Sequence, residues 1–297
     1  MQAEQSVKLV TKHQKPIAVR LRITARQIFN YTAVSLVALL FLIPWIWLLS
    51  TSLKPPSQIL QVPPRWIPDP IMWINYYYGV TYIKFFNYLL NTLIICAVVL
   101  IGRVMSCTVV AYSLSLINWP GRNILFGIVL ATMMLPIQVT MIPIFIIFTR
   151  LGWVDTFLPL TIPAFFGDAF FIFMMRQFFM TIPKDLIDAA RLDGASHLDI
   201  YAKVVLPLSR PALATLIAFT FIWTFTDFQG PLIYLKNREL WTLSLGMRGY
   251  LQRYGAGGGT AIGAMMAAAT LYTLPMIIIF LGAQKTFIRG IVTTGMK

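Results

Sequence analysis

Long runs without a single charged side chain constrain this chain more than any other feature. Three of them hold 27, 27 and 31 residues, and they lie at 27–53, 123–149 and 254–284. A helix needs about 20 apolar residues to cross the hydrocarbon core of a bilayer. Each run therefore predicts one membrane-spanning helix, and we expect these helices at about residues 28–49, 124–148 and 261–281.

Three further apolar stretches are each interrupted by one charge, which is Arg103, Asp168 or Asp227. Each stretch is long enough to cross a bilayer once, and none is long enough to cross twice. They predict spans at about 88–110, 157–179 and 211–235. The sequence thus predicts an all-α polytopic membrane protein with six transmembrane helices in a lipid bilayer.

The composition supports this class and excludes others. Only 11% of the 297 residues are charged, against roughly 25% in soluble domains, so an ordinary cytosolic enzyme is not expected. Lys and Arg outnumber Asp and Glu by 24 to 10, but these charges lie between apolar runs and form no single patch. That distribution argues against a nucleic-acid partner.

The chemistry-bearing residues form no recognisable catalytic or metal-binding pattern. His13 and His197 have no Cys or carboxylate at ligand spacing, and no ATP-binding signature is present. Cys96 and Cys107 would lie about 16 Å apart on one helix, too far for a disulfide. We therefore predict that the chain is not an enzyme and holds no metal or cofactor.

The basic N-terminal arm sets the predicted orientation. Before the first span, six basic residues oppose only Glu4, and such a segment stays in the cytoplasm. Six crossings then place both termini there. The predicted divisions are a basic arm at 1–26, a transmembrane domain at 27–290 with a cytoplasmic loop at 181–210, and a cytoplasmic tail at 291–297.

The loop at 181–210, here called the bracket, carries orderly helix signals. Thr181 is predicted to cap a first helix, which Gly194 ends because glycine readily adopts the left-handed conformation. Ser196 opens a second helix through a capping box, and Pro207 is predicted to stop it. The sequence therefore predicts two short helices joined by a turn.

The bracket contains one ordered pattern: an acidic residue, two alanines, an Asp-Gly-Ala and then a Leu-Pro. This pattern resembles the EAA loop of ABC importer permeases, whose coupling helix docks into a cleft on the cytoplasmic ATPase. The family usually has Glu where this chain has Asp188. The resemblance implies an ATPase-coupling role for seven residues: Asp188, Ala189, Ala190, Asp193, Gly194, Ala195 and Pro207.

Other motifs narrow the resemblance to one branch. They are Ser52-Leu53-Lys54-Pro55, Pro63-Pro64-Arg65-Trp66, Asn75-Tyr76, Asn91-Thr92, Ala111-Tyr112, Arg176-Gln177-Phe178-Phe179 and Phe287-Ile288-Arg289-Gly290. These are similar to the smaller permease of maltose-type carbohydrate importers. The resemblance implies a bacterial inner membrane, a second permease in a heterodimer, two ABC ATPase subunits carrying ATP and Mg²⁺, and an extracytoplasmic solute-binding protein. The aromatic-rich loop at 55–79 is a candidate seat for that binding protein.

Charges inside spans are costly and mark candidate substrate or ion paths. The run at 223–231 resembles the aromatic and acidic stretch in the fifth span of sugar permeases, and aromatic faces with hydrogen-bonding groups suit a sugar. Packing or interfacial anchoring is the competing interpretation. Arg103 is expected to reach the headgroups or to pack at a subunit seam. The candidate substrate-path residues are Asp168, Trp223, Asp227 and Gln229.

The predicted function is translocation of a carbohydrate by alternating access coupled to a partner ATPase. A sugar phosphate or another polar solute is the alternative substrate. An ion-driven secondary transporter is a less favoured class, because the expected internal repeat is not evident. An intramembrane enzyme would need a nucleophile and a base at membrane depth, and none is apparent.

Overall fold

The protein is predominantly helical in the part of the chain that the computed structural model describes. The backbone is described for residues 17–254 and 259–294, and side chains for 26–250 and 261–284. No strand occurs in these ranges. The first helices are α1 Ile17–Ser52, α2 Pro56–Ile59, α3 Ile74–Thr81, α4 Phe85–Leu116, α5 Arg122–Thr132, α6 Ile137–Arg150, α7 Leu158–Thr161 and α8 Ala169–Phe179, with a 3₁₀ turn at Ile162–Phe166 before α8.

The second half of the chain is more fragmented. Its helices are α9 Lys184–Leu192, α10 His197–Asp199, α11 Leu206–Leu208, α12 Arg210–Thr226, α13 Gln229–Tyr234, α14 Leu243–Tyr254 and α15 Gly259–Thr294. A π-helical stretch, Ile200–Val205, joins α10 to α11, and a 3₁₀ turn, Arg238–Leu240, precedes α14. The glycine-rich segment at 255–258 lies outside the described residues.

Four segments are long and apolar enough to cross a membrane: Arg26–Ser52, Phe85–Leu116, Leu158–Phe179 and Ala261–Gln284. Two further candidates are bent helix pairs, α5 with α6 at 97° and the α10–α11 segment with α12 at 79°. Counting each bent pair as one span gives six within the described residues. The predicted all-α polytopic membrane fold is confirmed.

The predicted third span, 124–148, is wrong as a single helix. The chain leaves the helical conformation at Met133–Pro136, and Pro136 itself is extended, with φ −61° and ψ 135°. Proline lacks an N–H and disfavours the α conformation in the residue before it. The apolar run without charges could not reveal this break, because the break depends on the backbone and leaves hydropathy unchanged.

The fourth and fifth spans are also interrupted where single helices were predicted. Gly167, at φ 91°, separates the 3₁₀ turn from α8. In the fifth span α12 ends at Thr226, and Asp227 adopts an extended conformation before α13. Both interruptions lie beside a carboxylate, so two of the three isolated charges, Asp168 and Asp227, mark breaks in the helices, whereas Arg103 lies within the continuous helix α4.

Helix α4 lies at the centre of the bundle. It packs against α8, α12 and the Ile162–Phe166 turn, while α15 packs against α1, α3 and α12. By contrast, no residue of α5 or α6 is buried. The free cysteines Cys96 and Cys107 are both buried along α4, where they pack as small side chains.

The segment after α1 is held in place by Asn75. Its amide nitrogen donates to the backbone oxygens of Ser52 and Lys54, each at 3.0 Å. Lys54 is fully buried, with its ammonium 3.6 Å from the centroid of the Trp47 ring. Burial lowers the pKa of Lys54. The two motifs at 52–55 and 75–76 therefore belong to one structural contact.

Gly79 lets α3 approach the backbone of α15. A Cβ at this position would lie 2.9 Å from the backbone oxygen of Ala264 and 3.0 Å from the backbone nitrogen of Ala268. Those atoms belong to a helix and cannot rotate away. Gly127 in α5 offers a matched control, because a Cβ there would meet no atom within 4 Å.

We predict that Gly79→Ala lowers the thermal unfolding midpoint of the purified protein in mild detergent, since overpacking costs about 1–3 kcal/mol. Gly127→Ala should leave the midpoint unchanged or raise it slightly, because alanine is the better helix former. Equal midpoints for the two variants would contradict the close contact between α3 and α15.

Candidate functional site

The first helix of the bracket, α9, begins after a proline. Pro183 occupies the N-cap position, with Asp185 in the first turn, and no side chain caps the helix. The predicted cap by Thr181 is wrong, since its hydroxyl donates to the Phe178 carbonyl at 2.7 Å. Because Ile182 precedes a proline and is biased away from the α conformation, the helix cannot begin at Thr181.

The turn between the two bracket helices has the geometry that its sequence predicts. Gly194 has φ +81°. Its N–H donates to the Arg191 carbonyl, and the Ala195 N–H donates to the Ala190 carbonyl, both at 3.0 Å. This pair of bonds is a Schellman motif, which satisfies the last carbonyls of α9. Asp193 is the C-cap residue of that helix.

The capping box at Ser196 is confirmed. The Ser196 hydroxyl accepts from the Asp199 N–H at 3.2 Å, and the Asp199 carboxylate accepts from the Ser196 N–H at 3.3 Å. Lys203 lies 2.6 Å from the same carboxylate. Hydrogen bonds from Lys203 and Ser196 lower the pKa of Asp199 to about 2. The start of the second helix therefore keeps its cap at any physiological pH.

Pro207 does not stop the second helix, contrary to the prediction. The chain stays helical through the π stretch Ile200–Val205 and through Pro207 to Leu208, and it bends only at Ser209. A proline ring clashes with the carbonyl four residues earlier in a regular α-helix. The wider π turn just before Pro207 relieves that clash, so the helix continues for one more turn.

The bracket is fastened to α4 by polar and apolar contacts. The Thr108 hydroxyl and the Tyr201 hydroxyl lie 2.7 Å apart, and the Tyr112 hydroxyl lies 3.4 Å from Nδ1 of His197. Beneath these bonds, a single buried cluster joins the bracket to α4, α8 and α12, and it includes Phe179, Ile187, Ile200, Val205 and Leu216. The bracket is thus packed as a continuation of the spans.

The outward face of the bracket combines exposed leucines with charges. Leu192 is 90% exposed and Leu198 is 78% exposed. Asp188 and Ala189 are exposed on α9, and the Asp188 carboxylate pairs with Arg191 at 3.2 Å within the same helix. Ala190 and Ala195 pack against the buried cluster instead. The motif residues therefore divide between an exposed face and a packed face.

A cavity of about 450 Å³ lies at the middle of the bundle, and we call it the inner cavity. Three of the four predicted substrate-path residues line it, namely Asp168, Trp223 and Asp227. Gln229 is not among its lining residues, and its amide nitrogen lies 3.3 Å from the Met141 sulfur. The lining residues that the sequence did not single out as path residues include Thr92, Arg103, Leu160, Thr224 and Thr242.

Asp168 holds the break in the fourth span. Its carboxylate accepts from the backbone N–H groups of Phe170 at 3.0 Å and Phe171 at 3.4 Å, so it caps α8. It also lies 3.4 Å from the guanidinium of Arg103. The side chain of Arg103 is only 19% exposed, and its Nε is buried without a hydrogen-bond partner in the described structure. Arg103 thus faces the inner cavity, which differs from the expected reach to the headgroups, while the alternative of packing at a subunit seam stays a prediction.

Asp227 holds the break in the fifth span in a similar way. Its carboxylate accepts from the Gly230 N–H at 3.0 Å, and its backbone carbonyl accepts from the Ser244 hydroxyl. A Cβ on Gly230 would lie 2.4 Å from the Asp227 carboxylate, so a larger residue would displace this group. One turn earlier, Trp223 is 47% exposed and stacks on Phe219.

The inner cavity therefore presents an indole ring, three threonine hydroxyls, one guanidinium and two carboxyl groups. The described residues contain no cluster of three or more His, Cys, Asp or Glu side chains arranged to hold a metal. Sequence reasoning missed the pairing of Arg103 because its partner lies 65 positions away. Such a set of groups suits hydrogen bonding to a polar solute with an apolar face.

Comparisons with known proteins agree with this architecture. Residues 108–293 match the family described as "Binding-protein-dependent transport system inner membrane component". The chain belongs to this family. The protein is therefore a multi-pass permease of the inner membrane, as its resemblance to ABC importer permeases implied.

Individual relatives match over most of their length. The chain is 33% identical over 268 residues to the arabinooligosaccharides transport system permease protein AraQ of Bacillus subtilis (strain 168), covering 88% of this chain and 92% of that protein. It is 32% identical over 242 residues to the sn-glycerol-3-phosphate transport system permease protein UgpE of Yersinia pestis bv. Antiqua (strain Antiqua), covering 80% and 85%.

A solved structure shows the same fold. It is a bacterial ABC transporter involved in the import of the acidic polysaccharide alginate, with a TM-score of 0.77 and 26% identity. The match covers 90% of this chain and 97% of that chain. The permease fold and the ABC importer class predicted from the EAA-like pattern are confirmed.

We predict that Asp168→Asn, which keeps a capping oxygen but removes the charge, lowers the thermal midpoint of the purified permease. The partly buried Arg103 then lacks its counter-ion, and such unpaired charges are costly. Adding Arg103→Gln should restore most of the loss. A double-mutant cycle measures this coupling, which we expect to exceed about 1 kcal/mol. Additive effects of the two substitutions would contradict the ion pair.

Proposed function

We propose that this chain is a permease subunit of an ABC importer that carries a neutral saccharide. The family and the relatives establish the importer permease, and two of the matched proteins are named for saccharides. The observation that supports a neutral saccharide here is the composition of the inner cavity. Trp223 offers a flat apolar face for a sugar ring, and the surrounding threonines and carboxyl groups offer partners for hydroxyls.

The charges in the inner cavity argue against the alternative of a sugar phosphate. Asp168 already pairs with Arg103, the cationic side chain of that cavity, and Asp227 adds a second carboxyl group. No net positive charge is left for a phosphate, which arginine and lysine side chains bind best. A negatively charged phosphate close to these carboxylates would instead bind less favourably, because like charges repel each other. The arrangement therefore favours an uncharged polyol.

We further propose that the bracket is the contact with the ATPase. Its exposed leucines and the Asp188–Arg191 pair form an apolar face with polar edges, which suits a cleft in a partner. The bracket side chains behind this face, such as Ile187, Ile200 and Val205, are buried together with side chains of α4, α8 and α12. A displacement of the bracket would therefore move these spans as one body, which is the motion that alternating access requires.

The remaining partners follow from the same assignment. Two ATPase subunits would supply ATP and Mg²⁺, and a second, different permease would cover part of the apolar surface of α5 and α6. A solute-binding protein would dock at the end of the bundle opposite the bracket, where the loop at 55–79 lies. Both termini would face the cytoplasm. Most of the arm at 1–26 and residues 295–297 of the tail lie outside the described backbone.

An ion-driven transporter is the second candidate class, and the bracket argues against it. An ion-driven protein has no need for an exposed two-helix element built onto its spans. Uptake that continues after ATP depletion but is abolished by an ionophore would overturn our proposal.

We predict that Gly194→Val uncouples ATP hydrolysis from transport. No atom lies within 4 Å of a Cβ at this position, so the cost comes from the backbone at φ +81°, about 1–2 kcal/mol or more for a side-chain-bearing residue. Gly194→Asn is the matched control, because asparagine tolerates this conformation. Transport and substrate-stimulated ATPase activity of the reconstituted importer measure the effect. Normal coupling in Gly194→Val at normal expression would contradict the assignment of the bracket as the contact with the ATPase.

We also predict that Trp223→Ala lowers kcat/KM for uptake about two- to twelvefold, since an aromatic contact contributes about 0.5–1.5 kcal/mol. Asp227→Asn should reduce uptake of the neutral saccharide without creating uptake of its phosphorylated form. The measurement uses proteoliposomes with the complete importer and radiolabelled sugars. Gln229→Ala, which lies off the inner cavity, serves as the control. Preferred uptake of the phosphorylated sugar by the unmodified importer would refute a neutral substrate.

A further inference from the structure

A second polar cavity lies at the other end of α4, and we call it the outer cavity. It measures about 630 Å³ and is lined by the segment 81–84, by Tyr88 of α4, by Arg238, Glu239 and Trp241, and by two glycines of α14. Tyr88 lines it, whereas Tyr112, 24 residues further along the same helix, contacts the bracket. At 1.5 Å per residue these positions are about 36 Å apart. The outer cavity is therefore at the end of the bundle remote from the bracket.

The walls of the outer cavity are aromatic and ionic. The rings of Tyr88 and Trp241 lie 6.2 Å apart, centroid to centroid, and are tilted by 42°. Lys84 and Glu239 form an ion pair at the rim, and the Arg238 guanidinium lies 5.4 Å from the centroid of the Trp241 ring. Flat rings next to paired charged groups offer both a stacking surface and hydrogen-bond partners for hydroxyls.

Two further details concern the aromatic wall of the outer cavity. The Nε1 of Trp241 is buried without a hydrogen-bond partner in the described part of the chain. A donor that is removed from water and left without a partner is energetically unfavourable. A Cβ on Gly246 would lie 2.3 Å from the Tyr88 ring, so the glycine lets α14 approach that ring closely. Trp241, which lines the outer cavity, thus carries an unsatisfied indole donor, and the aromatic ring of Tyr88 beside it is tightly positioned.

A thin segment, 239–243, separates the outer cavity from the inner cavity. The amide of Asn91 donates to the carbonyls of Glu239 at 2.7 Å and Trp241 at 3.0 Å. The Thr92 hydroxyl accepts from the Leu243 N–H at 2.8 Å. Tyr88 and Trp241 line the outer side, while Thr92 and Thr242 line the inner side. A solute in the outer cavity is therefore one chain segment away from the inner cavity.

We propose that the outer cavity is a saccharide-binding subsite of this permease, in which a sugar ring stacks on Trp241 and its hydroxyls contact Arg238 and the Lys84–Glu239 pair. The volume lies within the usual range for small-molecule sites, about 300–1,000 Å³. The proposal rests on the saccharide importer function proposed above. It assigns the permease a sugar contact of its own, before the solute reaches the inner cavity.

The test uses the complete importer in lipid nanodiscs without the binding protein. All variants carry Trp223→Ala, which weakens the inner cavity. Saturation-transfer NMR measures binding of a mixture of neutral di- and trisaccharides built from arabinose, glucose, galactose and xylose, with trigalacturonate added. We expect binding by at least one saccharide. Adding Trp241→Ala should weaken it about two- to twelvefold, as expected for loss of an aromatic contact.

Two further variants keep the test decisive if Trp241→Ala fails to assemble. Trp241→Phe keeps an aromatic ring of smaller area and lacks the N–H, and Arg238→Gln changes an exposed side chain. Each should weaken saccharide binding without a change in thermal midpoint. The absence of any saccharide signal, or equal signals in all variants, would overturn the subsite.

A parallel measurement separates this proposal from the proposed function. The cognate binding protein is titrated with the same mixture, and uptake by the unmodified importer is measured. If saccharides bind that protein and are transported while the outer cavity shows no signal, the subsite alone is wrong. If the binding protein takes no saccharide and none is transported, the saccharide function is wrong, and the absence of signal in nanodiscs then rejects the subsite as well.

Discussion

The hydrogen-bonding requirement of a backbone in hydrocarbon governs this structure. A bilayer core offers no water, so each N–H and carbonyl needs an internal partner wherever a helix breaks. The fourth and fifth spans break beside Asp168 and Asp227, and each carboxylate accepts backbone N–H groups at its break. These two groups then face the same inner cavity. The charges that make the cavity polar are therefore also the groups that allow the helices to be interrupted there.

Two unbroken helices, α8 and α4, connect the inner cavity to the bracket. Helix α8 begins at the Asp168 cap and runs 11 residues to Phe179, a rise of about 16 Å, before the chain enters the bracket. On its buried side, α4 carries Arg103 at the cavity and Tyr112 at the bracket. Two helices that pack against each other, α4 and α8, thus connect the proposed solute site with the proposed ATPase contact. Neither helix has a break between those points in the described structure.

The features that the sequence predicted well are those set by local composition. Charge spacing located the spans, and the Schellman turn at Gly194 and the capping box at Ser196 depend on residues within one or two turns of each other. Contacts between distant positions were not predictable in this way. The Arg103–Asp168 pair joins residues 65 positions apart, so the partner of Arg103 was not predictable from its neighbours in the sequence. The helix through Pro207 was missed for another reason, because a π turn leaves no pattern in hydropathy or capping residues.

Helix α4 contacts two elements in turn, the segment 239–243 and the bracket, and this limits how the two cavities can be joined. Near its start, Asn91 and Thr92 make three hydrogen bonds to segment 239–243 between the cavities. Near its end, Thr108 and Tyr112 hold the bracket. A rigid shift of α4 relative to α14 must either carry the segment with it or break those three bonds. Because each buried bond costs roughly 1–3 kcal/mol to leave unmade, the segment will move with α4 unless new partners replace them. Displacement of the bracket would in that case move the wall between the cavities as well.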